Sequence, residues 1–538
     1  MSSSSLIERF YNHPSNIISR GQPSKDERSR LRLSWMIKSR KGWETDFNDS
    51  SVVSKWFQDA KDELGGAVAS SSGHKKVALV QLEKNWPVFN VNVTDRLPHF
   101  LTLWDGQLTP GPLDGSWVAD GLVDIALTER LVGGAGKVEE IAIKANNWQP
   151  ATENRVINVI DPYSYCAVAK RSHILKGGFV PKEPKNLDDY RHLLHFHSAN
   201  TRNYLHRFDV KRLISIIPND MISPPPKIEW DPNYQLLPAD VVIDSDGASH
   251  FTSYVNGLYP AEHGELYATL EQVLDKMVPM FEKVLTEIRT AGQAEAESGP
   301  KTRRQLANPS IVSIAPVSLR GRKIQVVVRM ATTILTPENS KHPGGQWHIE
   351  GMANEQIVAV GLHYFSNENI TTSELYLGLT QRALNGVIRV VDGGNNDFGI
   401  ETVPGRSVVF KNSVSHRVAP FELDDPDKPG HRKILGFFLV DPGAQILSSA
   451  RVPCQQWTRY LGQVKAVLAH LLPPEIVELV VSFLRRGDQY LDTEEAKRLQ
   501  GEMRDERKKR LAGTYRTRKQ ELELKKLIAR RKLAYYGN

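Results

Sequence analysis

Between Ile324 and Val440 the chain is a succession of short β-rich runs broken by turn residues, and this alternation limits its possible folds more than any other feature. Ile324 to Leu335, Ile357 to Phe365, Leu375 to Thr380, Val387 to Val391, Ser407 to Phe410, Val414 to Ala419 and Lys433 to Val440 all have the β-branched and aromatic content of strands. Pro343-Gly344-Gly345, Asp392-Gly393-Gly394-Asn395-Asn396, Pro404-Gly405 and Asp424-Asp425-Pro426 supply the positive-φ and fixed-φ positions that chain reversals need. Strands at this spacing predict a jelly roll.

Within that region stands His348-Ile349-Glu350, followed 66 residues later by His416 and a further 16 later by Arg432. Residues i and i+2 of a strand share a face, so His348 and Glu350 can reach one ion without distorting the backbone. His416, from a distant strand, would complete a two-histidine, one-carboxylate facial site of the iron(II) type, with other coordination positions left open. The tripeptide pattern alone is weak: 16 histidines and 62 acidic residues in 538 produce His-x-Asp/Glu about twice by chance. His263-Gly264-Glu265 is such a coincidence. It opens a run in which Leu266, Leu270, Val273, Leu274, Met277, Phe281 and Val284 follow helical periodicity, and side chains two apart on a helix diverge by about 200°.

The motifs around these residues resemble a known family. Pro404-Gly405-Arg406-Ser407-Val408-Val409-Phe410, then His416-Arg417-Val418-Ala419-Pro420, then Arg432 opening an apolar strand, look like the second half of iron(II)/2-oxoglutarate oxygenases with a double-stranded β-helix. More narrowly, Gly344-Gly345-Gln346-Trp347-His348-Ile349-Glu350-Gly351-Met352 with Asn354-Glu355, Asp161-Pro162 to Cys166, Leu237-Pro238-Ala239-Asp240 and Val440-Asp441-Pro442 are similar to a mainly fungal family known as domain of unknown function 4246. The resemblance extends from about Lys41 to about Gln456. It implies that His348, Glu350 and His416 hold Fe(II), that 2-oxoglutarate chelates the metal while Arg432 binds its far carboxylate, and that O2 oxidises a small organic molecule, by default through hydroxylation. The sequence departs from the wider superfamily in two places: aspartate is commoner than glutamate at Glu350, and the interval from His416 to Arg432 is longer than usual.

Other readings of the same residues compete with this one. Arg432 could pair with Glu422 or Asp424, and Arg329, on the strand before the motif, could face the same cavity but reads rather as an exposed strand arginine. His363-Tyr364, His431 and Lys433 could line the site, but nothing in the sequence places them there. A metal-binding β-barrel enzyme that does not use 2-oxoglutarate, or a non-catalytic scaffold with a basic partner-binding tail, are the alternative functions. His192, His195 and His197 are dense in imidazole, but Leu193, Leu194, Tyr204 and Leu205 suit a core-packed helix better than a second metal site.

The expected fold class is α+β: a double-stranded β-helix (jelly roll, cupin-like) core embedded in a mixed, largely helical framework. The expected division is 1–80, an N-terminal helical region; 81–290, a mixed helical framework; 291–310, a small, polar and charged linker; 311–456, the oxygenase module; and 457–538, C-terminal helices with a basic tail. Two cysteines, Cys166 and Cys454, without paired spacing suggest free thiols in a reducing compartment. No run of about 18 apolar residues or signal-like N-terminus is visible, so a cytoplasmic or nuclear location and no membrane span are expected.

A pI near 9.1 invites a nucleic-acid reading, but the charge is local. Residues 501–538 carry a net +8 against +7 for the whole chain, leaving the rest at −1. Asp492 caps a helix whose Lys/Arg/Glu-rich continuation reads as a solvated extension; nucleic acid or an acidic partner is the less favoured use. Pro473-Pro474-Glu475 opens a short amphipathic helix expected to close the core.

Overall fold

All seven β-rich runs become strands. The computed structural model describes residues 107–175, 231, 233–298, 315–382, 388–391, 398–458, 468–484 and 490–511, with short pieces between 35 and 59 and at 205–207, 461, 465 and 515–516. In chain order the elements used below are β1 (Thr109–Pro110), β2 (Ser116–Asp120), α1 (Ile125–Lys144), β3 (Val156–Ile160), β4 (Ala239–Ile243), β5 (Ser249–Phe251) and α2 (Pro260–Ser298). They continue with β6 (Arg322–Leu335), β7 (Lys341–His342), β8 (Ile357–Glu368), β9 (Glu374–Arg382), β10 (Ile388–Val391), β11 (Gly399–Glu401) and β12 (Arg406–Lys411). The last are β13 (Ser415–Val418), β14 (Phe421–Glu422), β15 (Gly430–Val440), α3 (Pro474–Leu484), α4 (Thr493–Leu511) and β16 (Tyr515–Arg516).

The result is a mixed α/β structure dominated by antiparallel sheet. The larger sheet has nine strands among the described residues, ordered β1-β2-β12-β8-β15-β6-β4-β5, with β3 also pairing β6. A smaller sheet runs β11-β9-β10-β16, with β13 on β9, and β7 pairs with β14. Side-chain alternation divides the larger sheet into two faces. Val326, Val328, Met330, Phe365, Leu435, Phe437 and Leu439 pack against Leu127 and Leu131 of α1 and Leu270, Leu274, Met277 and Phe281 of α2. Each such side chain withdrawn from water contributes about 1.5–3 kcal/mol. The opposite face, with Val327, Leu362, Tyr364, Val408, Phe410 and Phe438, shares a second core with Leu375, Leu377 and Ile400 of the smaller sheet.

Several expectations need correction. The mixed region 81–290 also contributes strands: β2, β3 and β4 lie in the larger sheet, built from the buried runs SWVAD, VINVI and ADVVI. Continuous apolar runs this short suit strands buried on both faces and carry no helical period. The linker is not free of structure at its start either, because α2 persists to Ser298. The stretch AGQAEAES is polar but rich in good helix formers. Residues 299–310 and the histidine-dense segment 192–197 lie outside the described residues.

Helix α4 overturns the solvated-tail reading for its own length. Ala496, Leu499, Met503 and Arg507 recur at helical spacing and are all buried. Met503 Sδ lies 3.5 Å from the Cys166 thiol, and both cysteines are buried and free. Helix α3 buries Val477 and Val481 as expected but leaves Ile476 and Leu479 exposed. No helix among the described residues is long and apolar enough to cross a membrane.

Candidate metal centre

The segment ahead of Glu350 is extended but joins no long strand. Gly344 has φ +85°, and a Cβ there would lie 3.0 Å from Val418 O. Only glycine fits this approach to β13 without strain. Gly345 N–H then donates to Val418 O at 2.9 Å, and His348 and His416 exchange reciprocal backbone bonds of 3.1 and 2.9 Å. The strand anticipated through His348 is thus a single antiparallel bridge to β13, enough to set the two imidazoles side by side with ring centroids 4.3 Å apart.

Glu350 completes the group. His348 Nε2 lies 3.7 Å and His416 Nε2 3.6 Å from the same oxygen, Glu350 Oε1. Among the described residues this is the one group of three such side chains placed to hold a metal ion, with donor atoms all within 4.8 Å of one another. Adjacent ligands of an octahedral ion with bonds of about 2.1 Å stand about 3 Å apart, so a small contraction would close this triangle on a metal. His348 Nδ1 donates to Gln346 O at 2.7 Å, which leaves the neutral ring's Nε2 lone pair facing Glu350. His348 retains 44% side-chain exposure, whereas Glu350 and His416 are buried.

The electrostatics suit a cation. Burial acts to raise the Glu350 carboxyl, but hydrogen bonds and charge from His348 and His416, with Arg329 beyond, hold it well below the usual range. Burial and the neighbouring charge of His348 push His416 down to about 4, so it presents a neutral imidazole. Burial also lowers His348, but hydrogen bonding to and attraction by Glu350 prevail and raise it. A metal ion would replace the proton that His348 and Glu350 compete for.

The backbone of Glu350 is fixed by a residue that sequence reasoning missed. Asn412 Oδ1 accepts from Glu350 N–H at 2.9 Å, while its Nδ2 donates to Glu350 O and Ile357 O at 2.8 and 3.0 Å. This buried amide ties the ligand segment to the β12–β13 turn that leads to His416. Immediately beyond, Gly351 has φ +71°, and its missing Cβ would fall 2.7 Å from Glu355 Oε2. Glu355 accepts from Leu236 N–H and Met352 N–H at 2.6 and 2.7 Å. It also pairs with Arg507 of α4 at 2.7 Å, and Arg507 Nε bonds Asp231 at 2.9 Å. All three of these charged groups are buried. The signal for Arg507 was its helical spacing from Met503.

Arg432 does not join the triad but opens inward from β15. It is buried, donates from Nη1 to Ser373 Oγ at 2.7 Å, and stacks 5.0 Å from the Phe421 ring and 5.7 Å from that of Tyr364. Its Nε and the Tyr364 hydroxyl are buried without a hydrogen-bond partner. The competing ion-pair reading is not realised: Glu422 pairs with Lys341 at 2.7 Å, and Arg432 donates to Ser373 instead. Strand alternation removes His363 and Lys433 from this face. His363 bonds Ser407 at 3.0 Å, Lys433 pairs with Glu139 at 3.0 Å, and His431 meets Ser366 at 2.8 Å.

Arg329 is the opposite case, since it faces the site rather than open solvent. Its Nη1 lies 4.0 Å from Glu350 Oε1 and its Nη2 donates to Gln149 Oε1 at 3.2 Å, with 27% of the side chain exposed. On β6 it shares a face with Val327, which the alternation made legible. Tyr163, half-buried nearby, is pushed up to about 12 by burial and then by the Glu350 charge. The decoy pair behaves as its helical setting requires: His263 sits at a kink beside Glu262, while Glu265 reaches Lys137 at 3.4 Å.

Fold and site together define a mixed α/β protein, dominated by antiparallel sheet, with a His-Glu-His group able to hold a metal. Residues 111–313 and 297–460 match the model of the family described as protein of unknown function (DUF4246), and the chain belongs to that family. No curated protein matches. Solved structures with some similarity include IDO from Bacillus thuringiensis, at 14% identity and TM-score 0.16, where the match covers 29% of this chain and 60% of that one. A bsmA homologue from Methylobium petroleophilum PM1 is 11% identical with TM-score 0.23, covering 62% and 92% of the two chains. The Fe(II)/(alpha)ketoglutarate-dependent dioxygenase TqaL is 12% identical with TM-score 0.19, covering 58% and 89%. Scores this low carry no weight for the activity of this chain.

Proposed function

We propose that this protein is an iron(II)- and 2-oxoglutarate-dependent oxygenase with a double-stranded β-helix core, hydroxylating a small organic molecule. The observation that carries the reading is the convergence of His348, Glu350 and His416, two imidazoles and one carboxylate, within 4.8 Å of one another. Support for the dicarboxylate comes from the buried, unpartnered Arg432 Nε and Tyr364 hydroxyl, two donors whose needs a carboxylate would meet. When bound, iron(II), 2-oxoglutarate and O2 supply the oxidising power for C–H hydroxylation, with succinate and carbon dioxide released.

The residues of this chain do the remaining work. His348, held by Gln346 O, and His416 present Nε2 lone pairs, and Asn412 fixes the main chain from which Glu350 projects. Arg432, oriented by Ser373 and its two aromatic neighbours, takes the far carboxylate of the cosubstrate. Leu362, Leu377, Phe410 and Phe438 form an apolar wall that keeps bulk water from this side of the sheet. An anaerobic titration with Fe(II) and 2-oxoglutarate of wild type, Glu350→Ala and Arg432→Ala tests the assignment. The expected results are a weak visible charge-transfer band in wild type, lost metal binding in Glu350→Ala and weakened 2-oxoglutarate binding in Arg432→Ala. Wild-type cosubstrate binding that survives both changes overturns the assignment, and metal binding without the band points to a metalloenzyme that does not use 2-oxoglutarate.

A further inference from the structure

Arg329 is the charged group beside the triad that the proposed chemistry leaves unused. A divalent ion, Glu350, the dicarboxylate cosubstrate and Arg432 sum to zero formal charge. Arg329 therefore adds one positive charge to a neutral assembly in a partly desolvated place, where an uncompensated charge is costly. Its nearest carboxylate is Glu350, at 4.0 Å from Nη1, beyond hydrogen-bonding distance and committed to the metal. Its hydrogen-bonded neighbour, Gln149 at 3.2 Å, is neutral and orients the guanidinium without balancing it. The other candidate carboxylates are engaged elsewhere: Glu355 and Asp231 with Arg507, Asp161 with Arg504, and Glu139 with Lys433.

Position strengthens the case. Arg329 pairs in register with Gly436 and Arg432 with Thr333, so the two arginines lie on neighbouring strands four residues apart along the sheet. At about 3.3 Å per residue their Cα atoms stand roughly 13 Å apart along the strand, so the two arginines project from separate places on this face. Arg329 keeps 27% exposure and His348 44%, so this is the side of the triad that a molecule from solution meets first.

Resting on the oxygenase reading, we propose that Arg329 is a specificity-determining residue that binds a carboxylate of the primary substrate, so that this protein acts on small organic acids. Arg329 forms a charge-assisted, bidentate-capable contact with the acid and sets the distance between its carboxylate and the carbon placed beside the metal. Because it stands next to a cation site, it also weakens metal binding through repulsion.

The test uses the full chain, loaded anaerobically with Ni(II) in place of iron and with 2-oxoglutarate. Calorimetric titration compares hexanoate, benzoate and phenylacetate with their primary amides on wild type, Arg329→Gln and Arg329→Lys. The expected result is that at least one acid binds wild type tenfold or more tightly than its amide, that Arg329→Gln abolishes this preference and that Arg329→Lys restores part of it. Nickel affinity measured without organic ligand should be higher in Arg329→Gln. No acid preference in wild type, or an undiminished one in Arg329→Gln, overturns the proposal. So does a tenfold fall in nickel affinity in Arg329→Gln, which would make Arg329 a residue that positions Glu350. Failure of wild type to bind nickel or 2-oxoglutarate refutes the oxygenase reading itself, and is distinguishable because it precedes any addition of acid.

Discussion

Replacing Arg507 with methionine should destabilise the protein far more than its place in a Lys/Arg/Glu-rich helix suggests. The guanidinium is buried against Glu355 and Asp231, with contacts of 2.7 and 2.9 Å. Both carboxylates keep main-chain donors when it is removed: Leu236 and Met352 for Glu355, Asn233 and Tyr234 for Asp231. Their negative charges nevertheless remain buried without a counter-ion. Breaking a buried pair from one side costs about 3–5 kcal/mol, whereas a substitution on a solvated helix stays within about 0.5 kcal/mol. Arg507→Met should therefore lose about 3–5 kcal/mol in urea unfolding followed by tryptophan fluorescence. Adding Asp231→Asn, which removes one stranded charge and keeps the Oδ1 acceptor for Asn233 and Tyr234, should recover part of that loss. A loss below about 0.5 kcal/mol for the single variant, or no recovery in the double variant, would refute the buried-triad reasoning.

Three further expectations follow from the same geometry. Burial, then the charge of Asp114, raises Glu287 to about 7 against hydrogen bonds from Gly115 and Trp117 and the positive charge of Lys411. The folded state therefore binds more protons than the unfolded state between about pH 4.5 and 7, and stability should fall as pH rises through that window, by about 3 kcal/mol in total. Urea titrations at pH 5 and 8 should show that drop in wild type and a flatter response in Glu287→Gln; parallel responses would contradict the shift. Gly351→Ala places a methyl group 2.7 Å from Glu355 Oε2 and from Ile357 Cδ1 at φ +71°, and should cost about 1–3 kcal/mol with weaker Ni(II) binding by calorimetry. Asn412→Ala leaves the buried amide of Glu350 without its acceptor and should lower nickel affinity, read by calorimetry, by roughly 10–100-fold; an unchanged affinity would show that Asn412 does not position the ligand.

Strand periodicity made the 324–440 region legible because each strand needs only local alternation to announce itself. The metal candidates were legible for the same reason: a β setting makes His348 and Glu350 converge, and a helical one turns His263 away from Glu265. Long-range partners were not. Nothing near Arg507 in sequence indicates that its counter-charges are Asp231 and Glu355, and a run of like residues conceals the narrow stripe Ala496, Leu499, Met503, Arg507. Arg329 was misread because a lone arginine in an apolar strand has the same local pattern whether it faces water or Glu350. Asn412 was missed because an amide that braces main chain has no spacing rule.

The clasp of α4 on Glu355 has a consequence for how the chain can be cut. The family match ends at 460, and a recombinant piece trimmed there would lack the helix that neutralises two interior acids next to the ligand loop. Such a piece would carry every proposed ligand and still be a poor test of binding, because the turn after Glu350 would begin with its negative charges unanswered. During synthesis the same dependence sets an order. The strands can pair as they emerge, but the ligand loop gains its final brace only when residue 507 has followed, so completion of the site comes late in the making of the chain.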